Sequence, residues 1–301
     1  MSHKVAIIGA GQVGASIAYA MVLRKLTATI YMTDKSEKMC KGQVLDISDA
    51  TFFSPTKVRE GTYQECGQCD VIIITAGAKQ LPGEPRSQLV DRNHAILTNI
   101  IHDMQPIQPN AVLILVANPV DVLTHIALKL SGLPPKQVLG SGTFLDSMRL
   151  RHELSNHFHL SPGSIHAYVM GEHGDNQFVH WSSVRIAGVK LEDLPEYTTL
   201  DKEAMALRVK RKAYEIIDLK GATHFGVGTC VASMARSILY DKHDIVCVSV
   251  YVESEDSVVS IPSVLGAGGI QQIIPPVDLD ESETLALKHA VNSIREACKD
   301  Y

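Results

Sequence analysis

The chain has no apolar stretch long enough to cross a bilayer as a helix. Apolar runs such as residues 71–74 and 111–117 fall far short of the roughly 20 residues that a membrane span needs. No charged leader and apolar segment come before the first such run, residues 5–8, so no secretory signal is expected. Basic charge is short: 28 Lys and Arg against 33 Asp and Glu leave a formal charge of −5. That balance excludes a broad basic face, and with it nucleic acid as the main partner, although a few local arginines can hold a small anion. Cysteine is sparse and unpatterned. Cys66 and Cys69 form one C-x-x-C with no second pair at zinc spacing, and Cys40, Cys230, Cys247 and Cys298 stand apart. All six read as reduced, largely structural thiols of a cytoplasmic enzyme. The 13 histidines include no H-E-x-x-H pair, so no metal is expected. No repeat or low-complexity tract is present. What remains is a soluble globular composition, 45% hydrophobic and 20% charged over 301 residues, enough to bury a core without disulfides.

Short β-rich runs alternate with helical patterns over roughly the first 140 residues. Residues 4–9 (KVAIIG) read as a buried strand, and a helical stretch follows with Val13, Ile17 and Met21 on one face. Residues 29–33 (TIYMT), 70–75 (DVIIIT) and 111–117 (AVLILVA) are apolar on both faces, as parallel strands covered by helices on two sides require. After residues 138–143 (VLGSGT) the texture changes. A strand is expected over 166–170, two antiparallel-type strands over 244–252 and 257–265, and a closing helix over 281–299 carrying Leu285, Leu287, Ala290, Val291, Ile294 and Ala297. The expected division is a dinucleotide-binding domain over residues 1–142 and a substrate domain over 143–301, with a cleft between them.

Gly9-Ala10-Gly11-Gln12-Val13-Gly14 spells G-x-G-x-x-G directly after a strand and at the start of a helix, the context that gives this weak pattern its meaning. Gly9 permits the tight turn, Gly11 lets the backbone approach a pyrophosphate, and Gly14 lets helix and strand pack closely. The helix start, with Gln12 and Val13, offers free N–H groups to the phosphates. Asp34 lies 20 residues past Gly14, where a carboxylate accepts from the adenosine ribose hydroxyls and repels a 2′-phosphate. NAD is therefore expected rather than NADP. The plainer alternative is a glycine turn followed by an ordinary strand-end acid. The fold class expected is α/β: an N-terminal Rossmann-type doubly wound parallel sheet followed by a mixed α+β domain.

Residues 75–86 (TAGAKQLPGEPR) follow the third strand and residues 118–121 (NPVD) the next. Asp146 and Arg149 stand three apart, on one face of a helix, and residues 171–175 (GEHGD) follow the strand at 166–170. With GAGQVG, ITAGAKQLPGEPR, VANPVD, GSGTFLDSMRLR and MGEHGD in this order and spacing, the chain resembles the lactate/malate dehydrogenase superfamily and, within it, the L-lactate dehydrogenases. The resemblance implies that His173 is the general acid and base, a role suited to a group titrating near neutrality. Asp146 then accepts from the other ring nitrogen and favours the protonated imidazole. Arg149 holds the substrate carboxylate with a planar fork that lysine lacks. Arg86 sits in a loop punctuated by Pro82, Gly83 and Pro85, which closes over substrate and brings its charge to the developing alkoxide. Thr75, Ala76 and Gly77 line the cofactor, Asn118 meets the nicotinamide ribose and the substrate oxygen, Thr223 lines the substrate pocket, and Val227 faces the nicotinamide ring. A core-packed His173, a helix-starting Asp146 and surface arginines are the plain alternatives.

Substrate choice turns on Gln80, six residues before Arg86. Malate dehydrogenases place an arginine at that spacing, opposite the second carboxylate of oxaloacetate. An amide cannot neutralise a charge in a closed, dry pocket, so Gln80 favours pyruvate and L-lactate. Lys79, one residue earlier, is the competing cation if the register slips. A malate or broad 2-hydroxyacid dehydrogenase is the alternative within enzymes, and a non-catalytic NAD(H)-binding protein the alternative from another class. Arg151 and His166 match positions that bind fructose 1,6-bisphosphate between subunits in bacterial allosteric relatives, and a homotetramer is the assembly the resemblance implies.

Overall fold

The computed structural model describes residues 3–26, 28–79 and 85–301, and Arg86 through its backbone. In the first half, strands β1 (His3–Ile8), β2 (Ala28–Thr33), β3 (Lys57–Glu60), β4 (Val71–Ile74), β5 (Val112–Leu115) and β6 (Val138–Gly140) alternate with helices α1 (Gln12–Leu23), α2 (Glu37–Asp49), α3 (Tyr63–Gly67), α4 (Arg86–Asp103) and α5 (Val120–Ser131). The strands lie parallel in the order β3-β2-β1-β4-β5-β6. This is the doubly wound order, and the reversal between β1 and β4 opens a crevice at their carboxyl ends.

Side-chain alternation explains why these strands are apolar on both faces. Val5, Ile7, Val71, Ile73, Val112 and Ile114 enter the core that α1 closes. Their neighbours Ala6, Ile8, Ile72, Ile74, Leu113 and Leu115 enter the core on the opposite face, closed by α4 and α5. A polar side chain at any of these positions would be buried without a partner.

The second half begins with α6 (Phe144–Phe158). It continues with β7 (Ile165–His166), β8 (Val169–Gly171), β9 (Gln177–Val179), β10 (Arg185–Ile186), β11 (Val189–Lys190), α7 (Lys202–Lys220) and α8 (Phe225–Leu239). The long hairpin β12 (Asp244–Val252) and β13 (Ser257–Gly266), then β14 (Gly269–Ile273) and α9 (Glu281–Cys298), complete it. β6 pairs with β12, so the sheet of the first half continues through β12, β13, β8 and β9, giving eleven strands with β14 among the described residues. β7, β10 and β11 form a separate small sheet.

One expectation is corrected here. The strand expected over 166–170 is two strands: β7 ends at His166 in the small sheet, and the chain crosses at Ala167 and Tyr168 before β8 joins the large one. Leu285 on α9 is 60% exposed. Glu283 turns inward instead, because its carboxylate accepts from the Ser182 N–H and hydroxyl and from the Asp280 N–H. All six cysteines are buried, and Cys40, Cys66, Cys69, Cys230 and Cys247 are free thiols. Burial pushes the Cys40 thiol up to about 11 and those of Cys66, Cys230 and Cys247 up to about 12, so they are protonated core residues. No helix among the described residues is long and apolar enough to cross a membrane.

Candidate active site

The glycine loop sits at the β1–β4 crevice. Gly9 has φ +107°, and a Cβ there would lie 2.5 Å from Thr75 Oγ1, so only glycine fits. A Cβ on Gly14 would fall 1.9 Å from the Gly9 carbonyl oxygen, which is the close approach of helix to strand expected of this residue. Gly11 differs: a Cβ there would meet nothing within 4 Å. It caps α1 without a side-chain hydrogen bond, and the first turn carries no acid. The open space beside the free helix N–H groups leaves room for an anionic ligand. Asp34 is half-buried at the end of β2. Its two oxygens accept from the Ala10 N–H (2.7 Å) and the Ser36 N–H (2.9 Å). Each oxygen keeps a lone pair for a ribose hydroxyl.

The opposite wall is tied to this loop. Thr75 donates its hydroxyl to the Gly9 carbonyl (2.9 Å). Gly77 has room for no Cβ, which would stand 2.9 Å from that of Ala117. Asn93, buried on α4, accepts from the Ala78 N–H (2.6 Å) and donates to the Asn118 carbonyl (2.8 Å). One side chain thus binds the loops after β4 and β5 together and sets the exposed Asn118 at the crevice edge. These residues fit a dinucleotide. Gly11 and the α1 N-terminus would hold its phosphates, Asp34 a ribose, and Thr75–Gly77 the wall.

Two residues converge on the buried Asp146 of α6. Its Oδ2 accepts from His173 Nδ1 at 2.7 Å and its Oδ1 from an Arg149 guanidinium N–H at 3.0 Å. The docking of α6 on β8 makes this possible. Thr143, just before α6, donates to the Val169 carbonyl (2.6 Å), and Ser147 accepts from the Val169 N–H (2.9 Å). Asp146 lies between those two anchors, and His173 follows two residues after β8. The Asp121 side chain completes the placement. It is 1% exposed and accepts from the His173 backbone N–H (2.8 Å) and from the Ser260 hydroxyl (2.7 Å).

The electrostatics follow from this crowding. Burial alone pulls the His173 imidazole down. The Asp146 charge and hydrogen bond, helped by Asp121, overcome burial and the opposing Arg149, and the net pKa is raised. Burial alone raises the Asp146 carboxyl, but His173 and Arg149 hold it below the usual carboxylate range. The result is a hydrogen-bonded carboxylate–imidazole couple in which the protonated ring is favoured, with Nδ1–H fixed on Asp146 and Nε2 left to meet a ligand. The His173 side chain keeps 25% of its surface exposed and Arg149 11%, enough for a small molecule to reach both. Such a couple can give a proton to a carbonyl oxygen beside a bound carboxylate and take it back.

The structure thus brings together Gly9, Gly11, Gln12, Val13, Gly14, Asp34, Thr75, Ala76 and Gly77 at one crevice, and His173, Asp146 and Arg149 at one cluster. Thr223 is half-buried at the turn before α8, and Val227 packs on the α1-side core. Gln80 lies outside the described residues, as does the Arg86 side chain. Arg151 faces away from Arg149's partner: it donates to the Ala167 carbonyl (3.1 Å) and stacks over Tyr168, next to the exposed His166. Sequence reasoning missed Asp121, Ser260 and Asn93. Their signals were an acid in the first turn of the apolar helix α5, a serine in the apolar strand β13, and an amide inside α4.

The whole chain is similar to known proteins. The family profile described as lactate/malate dehydrogenase, NAD binding domain, matches residues 3–140, and that described as lactate/malate dehydrogenase, alpha/beta C-terminal domain, matches residues 143–301. The chain is 48% identical over 288 residues to L-lactate dehydrogenase A of Rhizopus oryzae, covering 96% of this chain and 90% of that protein. It is 39% identical over 304 aligned positions to L-lactate dehydrogenase of Thermus aquaticus, covering 98% of each. Among solved structures, a lactate dehydrogenase from a deep-sea metagenome library superposes with a TM-score of 0.94 at 33% identity, covering 100% of this chain and 99% of that one. The minor L-lactate dehydrogenase of Enterococcus mundtii gives 0.94 at 32% identity, covering 99% and 98%.

Proposed function

The chain belongs to the lactate/malate dehydrogenase family, and we propose that it interconverts pyruvate and L-lactate with His173 as general acid and base. It is an NAD-dependent oxidoreductase. The observation that carries the proposal is the Asp146 carboxylate shared by His173 and Arg149. The family profiles meet at residues 140 and 143, which supports the division into domains over 1–142 and 143–301.

When bound, NAD supplies or removes a hydride at the substrate's second carbon. The chain's own residues do the rest. Arg149 grips the substrate carboxylate and orients the carbonyl toward His173. His173 protonates the oxygen as it becomes an alkoxide, and Asp146 stabilises the imidazolium beforehand and holds its tautomer. Asp121 fixes the backbone from which His173 projects. Arg86, whose side chain lies outside the described residues with residues 80–84, is assigned the second guanidinium for the oxygen by the family resemblance, and Asn118 adds a donor at the crevice edge. Thr223 and Val227 bound the side of the pocket that takes the substrate methyl and the reactive ring.

Specificity rests on Gln80. Steady-state NADH oxidation with pyruvate, oxaloacetate and 2-oxoisocaproate in parallel is expected to rank pyruvate first. Gln80→Arg is expected to shift the oxaloacetate-to-pyruvate ratio of kcat/KM by about 100-fold toward oxaloacetate, the worth of one newly paired buried charge. An unshifted ratio would place the specificity residue elsewhere in the loop.

Arg151 and His166 are read as one half of an anion site completed by a second copy of the chain. The reading is supported by the contact of Arg151 with the residue next to His166. Fructose 1,6-bisphosphate at millimolar concentration is expected to lower the KM for pyruvate and raise the tetramer fraction in light scattering. An unchanged saturation curve would refute it. Exposed Leu45, Phe52, Tyr214, Leu219 and Phe225 support a homotetramer, since they would otherwise face water. The buried free thiols of Cys40, Cys66, Cys69, Cys230 and Cys247 support a cytoplasmic location.

A further inference from the structure

One polar chain in the molecule is not accounted for by the proton-transfer cluster. Ser16 lies on α1, in the second turn after the glycine loop. His224 caps α8 and directly follows Thr223, and Lys220 ends α7. His224 Nδ1 stands 3.0 Å from Ser16 Oγ, and its Nε2 stands 3.0 Å from Lys220 Nζ. An ammonium can only donate, so Nε2 must carry its lone pair, and the ring's one proton must sit on Nδ1 and point at the serine oxygen. The imidazole is therefore neutral in this arrangement. The packing around it is close. A Cβ on Gly228 would fall 2.8 Å from Ser16 Cβ, so α8 rides directly against α1 here. Phe225 lies with its ring centroid 4.0 Å from that of His224, and Lys220 sits 4.5 Å over the same Phe225 ring. Lys220 is thus held by an imidazole lone pair and an aromatic face, both of which favour a cation.

We infer that the neutral His224 imidazole is a positioning residue that clasps the helix leaving the cofactor loop to the turn bearing Thr223 and Val227. The inference rests on the reading of that turn as the substrate wall. While the clasp is closed, the glycine loop and the wall move as one piece, so binding of the dinucleotide sets the pocket for the 2-oxo acid. A proton on His224 removes the lone pair facing Lys220 and puts two cations 3.0 Å apart, which breaks the Lys220 half of the clasp and leaves the ring held by Ser16 alone. Of the groups packed around the ring, Ser16 on α1 and Phe225 on α8 are uncharged, and Lys220 on α7 is the charge that acts on it. Burial and Lys220 both hold the His224 pKa below its ordinary value, so the clasp stays complete through neutral pH and loosens only on acidification.

The test is fluorescence titration of NADH, with kcat and KM for pyruvate, from about pH 5.5 to 8.5. In the wild type, the Kd for NADH and the KM for pyruvate are expected to rise about threefold to tenfold below roughly pH 6.5, the worth of about one net hydrogen bond. His224→Gln keeps one donor and one acceptor without a titrating group, and is expected to keep the neutral-pH values and lose the acid rise. His224→Ala and the milder Ser16→Ala are expected to show weakened NADH binding at every pH, with kcat at saturation nearly unchanged. Wild-type NADH affinity at neutral pH in both alanine variants, or an undiminished acid rise in His224→Gln, would overturn the inference. The NADH arm decides this even if no 2-oxo acid is turned over, an outcome that would count against the functional reading alone.

Discussion

Replacing His173 with asparagine is expected to lower kcat for pyruvate reduction by about 10²–10⁴-fold while leaving the Kd for NADH nearly unchanged. The imidazole is the group whose Nδ1 is fixed on Asp146 at 2.7 Å and whose Nε2 remains to give a proton. Asparagine retains a polar side chain of similar reach but has no titrating group, so substrate still meets Arg149 and only the proton donor is lost. The backbone bond from residue 173 to Asp121 does not depend on the side chain, so the loop keeps its place. The check pairs stopped-flow reduction with NADH fluorescence titration. A variant that retains most of its kcat would show that the proton comes from another group. Combining this change with Asp146→Asn is expected to be no worse than His173→Asn alone, because the two residues act as one unit.

Asp146→Asn alone is expected to lower pyruvate reduction by about 100-fold near pH 7.5, and by less as the pH falls, because general-acid catalysis of this size depends on the proton being present. Asp146 raises the wild-type imidazole pKa against burial and Arg149, so pyruvate reduction is lost only as pH rises through a pKa above the ordinary 6.5. In the variant that charge is gone, burial and Arg149 are opposed by Asp121 alone, and the same limb moves to lower pH. L-lactate oxidation needs the neutral imidazole, and its acid limb moves in the same direction, so it is the less impaired reaction at neutral pH. Stability carries the same signature. Asp146, with a depressed folded pKa, contributes above its unfolded value of 3.8 and loses that contribution as pH falls through the folded pKa. His173, with a raised folded pKa, contributes fully below 6.5 and loses it as pH rises through the folded pKa. The difference in Tm between wild type and variant is therefore expected to be widest between pH 3.8 and 6.5. A pH–rate profile for the variant that overlays the wild-type profile after scaling would refute the coupling.

Most of the fold was legible because the strands of the first half are buried on two faces. A run such as Val-Ile-Ile-Ile of β4 can only sit between two apolar layers, and the alternation of Ile73 and Ile74 into opposite cores bears this out. The strands β7 to β11 were not legible as they stand. At two or three residues each they are too short to show a period, and the crossing at Ala167 and Tyr168 reads in sequence as an unbroken strand. At the site, the glycine loop and the His173–Asp146–Arg149 cluster were legible because their chemistry needs particular side chains. Asp121, Ser260 and Asn93 were not, because their work is to satisfy backbone groups and hold loops. An aspartate that accepts from His173 N–H looks, in sequence, like any acid at a helix start.

The most direct measurement is a crystal structure with NADH and oxamate, an isostere of pyruvate that accepts no hydride. The account predicts the oxamate carboxylate paired with the Arg149 guanidinium and its remaining oxygen within hydrogen-bond distance of His173 Nε2, with Asp146 still on Nδ1. Oxamate bound away from Arg149, or His173 turned so that Nε2 no longer faces it, would contradict the account.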